Sequence, residues 1–115
     1  MRVQISDHDG VVMLKVKGRI AGHDEAEVLD DKLYAAIGRG FNRAIVDLGN
    51  CDWISSAGIR TLIHHHNCFK RNYGELKLTN LTDKIEKIVT ITRLAEVFDI
   101  HDNPEQAFLS FNSYS

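Results

Sequence analysis

The chain predicts a single α/β domain: a mixed β-sheet, opened by an antiparallel hairpin and continued by parallel strands, with about four helices packed on it. Three observations carry that prediction. Residues 44–48 form a short β-branched and apolar run, as in a strand covered on both faces. Beyond Ser56, apolar residues recur at Ile59, Leu62, Ile63 and Phe69, with His66 in the same stripe. That is helical spacing, one face against a core. Strand and helix patterns then alternate to the C-terminus, which implies right-handed crossovers between parallel strands.

Each element has its own signal. Val3 and Ile5 alternate with polar residues, and Asp9-Gly10 is a tight-turn pair of the kind that closes hairpins. Val12, Leu14 and Val16 give the second strand one apolar face. Residues 18–22 end the hairpin and can add a short third strand. A helix is expected to start near Asp24, with Asp24 as its cap and Glu27 completing a capping box. Its buried stripe is Ala26, Leu29, Leu33, Ala36 and Ile37, and Gly38 and Gly40 stop it. The strand at 44–48 and the helix from the serine pair to about 73–74 follow. Leu76 and Leu78 mark a strand at 75–80, and Thr82 or Asp83 opens a third helix that buries Ile85, Ile88 and Val89. Phe98 and Ile100 mark a last strand at 97–101. Asn103-Pro104-Glu105-Gln106 is a strong helix start, with Ala107, Phe108 and Phe111 as its docking face.

A chain of 115 residues suits one domain with a real core, and residues 1–115 are read as one unit. A net charge of −2 gives no electrostatic footprint for nucleic acid or an anionic membrane. Residues 1–9 are too polar for a secretory signal, and no apolar run approaches a membrane span. Cys51 and Cys68 match no zinc or redox spacing and read as free thiols of a cytoplasmic protein.

The most informative stretch is Trp53-Ile54-Ser55-Ser56-Ala57-Gly58-Ile59-Arg60, between the central strand and its helix. Its serines fall where a helix begins, beside unpaired backbone N–H groups and the positive end of the helix dipole, so an anion is tolerated there. Ser56 is read as the N-cap, or as a first-turn residue if Ser55 is the cap. A nucleophile elbow needs glycines on both sides of the serine; Gly58 is present but Ile54 stands in the other position.

This run resembles the signature loop of STAS domains, the family of bacterial anti-sigma factor antagonists. Residues 88–102 are similar to that family's closing segment, and Gly18-Arg19-Ile20 resembles its Gly-x-Leu after the second strand. The resemblance implies a non-enzymatic partner switch. Ser56 matches the serine or threonine that partner kinases phosphorylate. Asp24, Trp53, Ile54, Ser55, Ser56, Ala57, Gly58, Ile59, Arg60 and Ile63 would form the docking surface. The implied partners are a serine kinase/anti-sigma factor of the histidine-kinase-like ATPase fold, which brings the ATP, and a PP2C-type serine phosphatase. No cofactor, nucleic acid or membrane insertion is implied for this chain. Phosphate adds about −1.5 to −2 charge, and a docking penalty of roughly 3–4 kcal/mol would lower affinity a few hundredfold or more. Ser55 and Ala21 stand where many phosphorylated relatives carry Asp. These departures motivate an alternative, a constitutive STAS scaffold that is never phosphorylated. An enzyme with Ser56 or Cys51 as nucleophile is the third reading.

His64-His65-His66 raises a metal reading. Consecutive helical residues diverge by about 100°, so three rings are not expected to converge on one ion, and only His64 with Cys68 has a spacing that can share a ligand site. The expectation is solvated His64 and His65 with a partly buried His66. Asp47 reads as a strand-end hydrogen-bond partner, and Trp53 as half-buried beneath the loop or as an aromatic docking contact.

Overall fold

Asp9 and Gly10 take φ values of 50° and 82° and close the first hairpin, as a two-residue turn with both central residues at positive φ requires. They join β1 (Arg2–His8) to β2 (Val11–Lys17) in an antiparallel pair. The computed structural model describes residues 1–112. After the hairpin come α1 (His23–Gly38), β3 (Arg43–Asn50), α2 (Ser56–Arg71), β4 (Glu75–Thr79), α3 (Asp83–Ile91), a 3₁₀ turn at Leu94–Glu96, β5 (Ile100–His101) and α4 (Pro104–Asn112).

The sheet order is β1-β2-β3-β4-β5, and every pair after the first is parallel. Because the order never reverses, right-handed crossovers put successive helices on one face. Accordingly α1, α2 and α3 bury Leu29, Leu33, Leu62, Phe69 and Ile85 against Val12, Leu14, Val46 and Leu78 in the main core. The other face needs its own cover, and α4 supplies Ala107 and Phe111 against Val11 and Ile45. The period-2 alternation of a strand thus sends Leu76 and Leu78 into the main core and Lys77 toward α4. There the fully buried Lys77 ammonium reaches Asp99 at 2.7 Å and Ser110 at 2.6 Å, 4.4 Å from the Phe111 ring centroid.

Thr82 caps α3 through Ile85 N–H, and Asn103 Oδ1 accepts from Gln106 N–H at the head of α4. Three expectations need correction. The N-cap of α1 is Gly22 with no side-chain hydrogen bond, and Asp24 lies inside the first turn, so the capping box does not form. The last strand is shorter than expected. Arg93 turns at φ 60° into the 3₁₀ segment, Phe98 drops into the core, and only Ile100 and His101 pair with β4. Residues 18–22 contribute no strand, only an isolated parallel bridge between Ile20 and Ile54.

Candidate functional site

That single bridge organises the loop between β3 and α2. Ile20 N–H donates to Trp53 O at 2.9 Å, and Ser55 N–H donates back to Ile20 O at 2.8 Å. Gly18 N–H donates to Asn50 O at 2.9 Å, and from the other side the Thr82 hydroxyl donates to Cys51 O at 3.0 Å. Asp47 Oδ1 accepts from Gly49 N–H at 2.9 Å and from Asn80 at 3.2 Å, the strand-end role its position suggested. The loop is therefore held before the helix begins, by backbone bonds to Gly18 and Ile20 on one flank and by the Thr82 hydroxyl on the other.

Ser55 is the N-cap of α2. Its Oγ accepts from Gly58 N–H at 3.2 Å, and its carbonyl accepts from Ile59 N–H at 3.0 Å. Ser56 is consequently the first helical residue, the second of the two placements read from the sequence. Its side chain is exposed, and among the described residues no hydrogen bond engages its hydroxyl. It sits at the positive end of a helix of 16 residues, one of whose first-turn N–H groups is satisfied by Ser55. An anion attached there meets favourable electrostatics.

The expected docking residues divide into two groups. Asp24, Trp53, Ser56 and Arg60 are exposed, and Ser55, Ala57, Ile59 and Ile63 are half-buried. Ile54, at 4% exposure, and Gly58 are covered by the domain itself and shape the loop from beneath. Gly58 is pinned in place: a Cβ there would lie 2.6 Å from Ile20 Cγ2 and 2.8 Å from Ile54 Cγ1. Trp53 is 41% exposed, with the Arg19 guanidinium 5.9 Å from its ring centroid. Arg19 and Ile20 were not among the expected site residues. The likeness of Gly18-Arg19-Ile20 to a family motif was the signal that could have found them. Beside the serines, His23, Glu27, Asp30, Arg60, Thr61 and His64 line a shallow groove between α1 and α2.

Two further expectations are settled by packing. His65 is fully buried rather than solvated, because its Nε2–H reaches Asp30 Oδ1 on α1 at 2.7 Å. Burial pulls its pKa below the usual imidazole value, and the Asp30 hydrogen bond opposes without prevailing. His64 is exposed, and His66 is half-buried with its ring 5.0 Å from that of Phe98. Cys51 is fully buried, and burial pushes its thiol pKa up, which disfavours the thiolate a nucleophile needs.

Comparison with known proteins bears on this site. The sequence profile of the STAS domain matches residues 2–107. BtrV of Bordetella bronchiseptica, named as a candidate anti-sigma factor antagonist, is 27% identical over 113 residues, covering 98% of this chain and 97% of its own. The anti-sigma-B factor antagonist of Bacillus subtilis is 25% identical over 105 residues, 91% of this chain and 94% of its own. Among solved structures, the anti-sigma factor antagonist SpoIIAA of Bacillus in its unphosphorylated form matches with a TM-score of 0.75 at 16% identity, over 97% of this chain and 98% of that one. Its phosphorylated form matches with a TM-score of 0.74 at 17% identity, over 96% and 99%. At such identities these structures speak for the fold.

Proposed function

This chain belongs to the STAS domain family, and from that membership we propose that it acts as an anti-sigma factor antagonist switched by phosphorylation of Ser56. In this reading it binds a serine kinase/anti-sigma factor of the histidine-kinase-like ATPase fold while Ser56 is free. Transfer of a phosphoryl group to Ser56 releases it, and a PP2C-type phosphatase resets the switch in the cytoplasm. The observation that carries the reading is an exposed, uncommitted hydroxyl on the first residue of α2, in a loop that the fold holds rigid from both sides. In this reading Asp24, Trp53, Ser55, Ala57, Ile59, Arg60 and Ile63 form the docking surface with it. Ile54 and Gly58 act from below, by fixing the height of the loop.

Physical chemistry favours a switch that works by charge instead of refolding. The helix N-terminus accommodates a dianion, so the domain is not stressed by the modification. A partner covering Trp53 and Ile59 has to desolvate that dianion, and about 3–4 kcal/mol of penalty corresponds to a few hundredfold loss of affinity or more. In SpoIIAA the phosphorylated and unphosphorylated structures match this chain almost equally, with TM-scores of 0.74 and 0.75, in keeping with a fold that tolerates the group. Catalysis by the chain itself is disfavoured by the absence of a base bonded to Ser56 among the described residues and by the burial of Cys51, which pushes its thiol pKa up.

The test is incubation with the cognate kinase and ATP, followed by intact mass and peptide mapping. One phosphate per chain, lost in Ser56→Ala, is the expected result, together with a Ser56→Asp variant that folds normally and binds the kinase a few hundredfold more weakly. Phosphate on neither serine would sink the switch and favour a constitutive scaffold, the reading that Ser55 and Ala21 support by standing where phosphorylated relatives carry Asp. Ester turnover abolished by Ser56→Ala would revive an enzyme.

A further inference from the structure

The seam between α1 and α2 brings together five side chains that can donate to a metal: Asp30 and Tyr34 one turn apart on α1, and His64, His65 and Cys68 on α2. Ligand atoms of Asp30, His64 and His65 all lie within 4.8 Å of one another. The focus is His64 Nε2. The Tyr34 hydroxyl is hydrogen-bonded to it, and Cys68 Sγ lies 3.5 Å from it. An imidazole nitrogen has one lone pair or one proton to offer, yet a phenol and a thiol both converge on it. A cation takes the place of both protons and satisfies all three atoms.

The His64–Cys68 spacing suits such a cation. Zinc bonds of about 2.05 Å to nitrogen and 2.3 Å to sulfur at a tetrahedral angle separate those two ligand atoms by about 3.5 Å. His64 and Cys68 are i and i+4 on α2, so the helix itself holds them at that separation. We propose that this seam is a binding site for a zinc-class divalent transition metal, with His64 Nε2, Cys68 Sγ and the Asp30 carboxylate as ligands. Tyr34 Oη or a water completes the tetrahedron. A mixed nitrogen, sulfur and oxygen donor set selects borderline and soft ions over magnesium or calcium.

His65 is a positioning residue in this arrangement. Its Nε2–H holds Asp30 Oδ1 at 2.7 Å, the outer-shell carboxylate–histidine pairing that orients ligands at metal centres, and leaves the second Asp30 oxygen for the ion. Asp30 is one-third exposed and His64 and Tyr34 are exposed, so an ion reaches the site from solvent. On coordination the thiol proton passes to solvent and sulfur binds as thiolate. The Arg71 guanidinium, 3.4 Å from Sγ, stands beside that charge. By spacing along α2 only His64 and Cys68 could share an ion, and the sequence marked no further ligands for them. In the fold Asp30 and Tyr34 come from α1, across the seam.

Titration of the tag-free protein with Co²⁺, read by absorbance and followed by displacement with Zn²⁺, tests the proposal. The expected result is one Co²⁺ per chain, with the intense visible bands of tetrahedral cobalt and a near-ultraviolet sulfur-to-cobalt charge-transfer band. His64 is exposed, so His64→Ala leaves the core intact; it should weaken binding by about a hundredfold or more. Cys68→Ser should abolish the charge-transfer band, and Ser56→Ala should titrate like wild type, which separates this site from the proposed switch. No saturable binding, titration of His64→Ala like wild type, or a cobalt spectrum without the sulfur band would each overturn the assignment.

Discussion

Gly58→Ala isolates how the loop before α2 is held. Gly58 is helical and without positive φ, so the substitution introduces no backbone strain. In open space it should stabilise, since alanine exceeds glycine in helix propensity by about 1 kcal/mol in a helix interior and less in the first turn. Here, however, the new methyl would lie 2.6 Å from Ile20 Cγ2 and 2.8 Å from Ile54 Cγ1. Both neighbours are buried and tied together by the bridge that positions Ser55, so neither can swing aside. Overpacking of that kind costs typically about 1–3 kcal/mol, leaving a net destabilisation of about 1–2 kcal/mol. For 115 residues the unfolding entropy near the midpoint is about 0.24 kcal/mol/K. The expected fall in Tm is therefore about 4–8 °C. Gly38→Ala is the control: its Cβ meets nothing within 4 Å, and it should be neutral or stabilising. Urea unfolding of both variants, with an Ile20→Ala, Gly58→Ala double variant, reads the effect. The double variant should lose less than the sum of the singles, because removing the Ile20 branch relieves the clash. A Gly58→Ala protein as stable as wild type, with Gly38→Ala behaving as expected, would refute the claim that this contact sets the height of the loop.

Three other variants probe separate parts of the molecule. Ser55→Ala removes the acceptor for Gly58 N–H and should cost about 1 kcal/mol in urea unfolding, while kinase-dependent phosphate still maps to Ser56. Burial holds His65 below the usual imidazole pKa of 6.5, against the opposing Asp30 hydrogen bond. The unfolded chain therefore takes up the proton first, and stability falls as pH drops through about 6.5. His65→Leu should flatten that dependence between pH 7.5 and 5.5, and an unchanged slope would contradict it. Burial alone would raise the pKa of Asp99, but its hydrogen bonds to Lys77 and His101 outweigh this and hold it below the ordinary carboxylate value of 3.8. Its stabilisation is present above about that pH and lost as pH falls toward the folded-state value. Asp99→Asn should lower stability at pH 7 and weaken the acid limb of an unfolding titration.

Much of the chain was open to reading residue by residue. The hairpin followed from Asp9-Gly10 and the alternation of Val12, Leu14 and Val16; the start of α3 from Thr82; the start of α4 from Asn103 and Pro104; the family from the serine loop and the closing segment. In the two helix starts the side chain bonds a backbone N–H three positions on, and the hairpin turn needs only its own two residues. Interactions of that reach are written into neighbouring positions. Local signals still mislead when packing overrules them: Asp24 and Glu27 have capping-box spacing, yet α1 begins at His23 from an uncapped Gly22.

What the order of residues determined by itself is the succession of strands and helices, the two faces of each strand, and the placement of a serine pair at the mouth of α2. Only the tertiary structure decided which residues around those serines face outward. Ile54 and Gly58 are covered because Ile20, more than thirty positions earlier, lies against them. His65 is interior because Asp30 is 35 residues away along the chain and 2.7 Å away in space. The physical reason is common to both. Burial and hydrogen bonding across elements depend on how helices seat on the sheet, and no spacing within one helix encodes its neighbour's side chains.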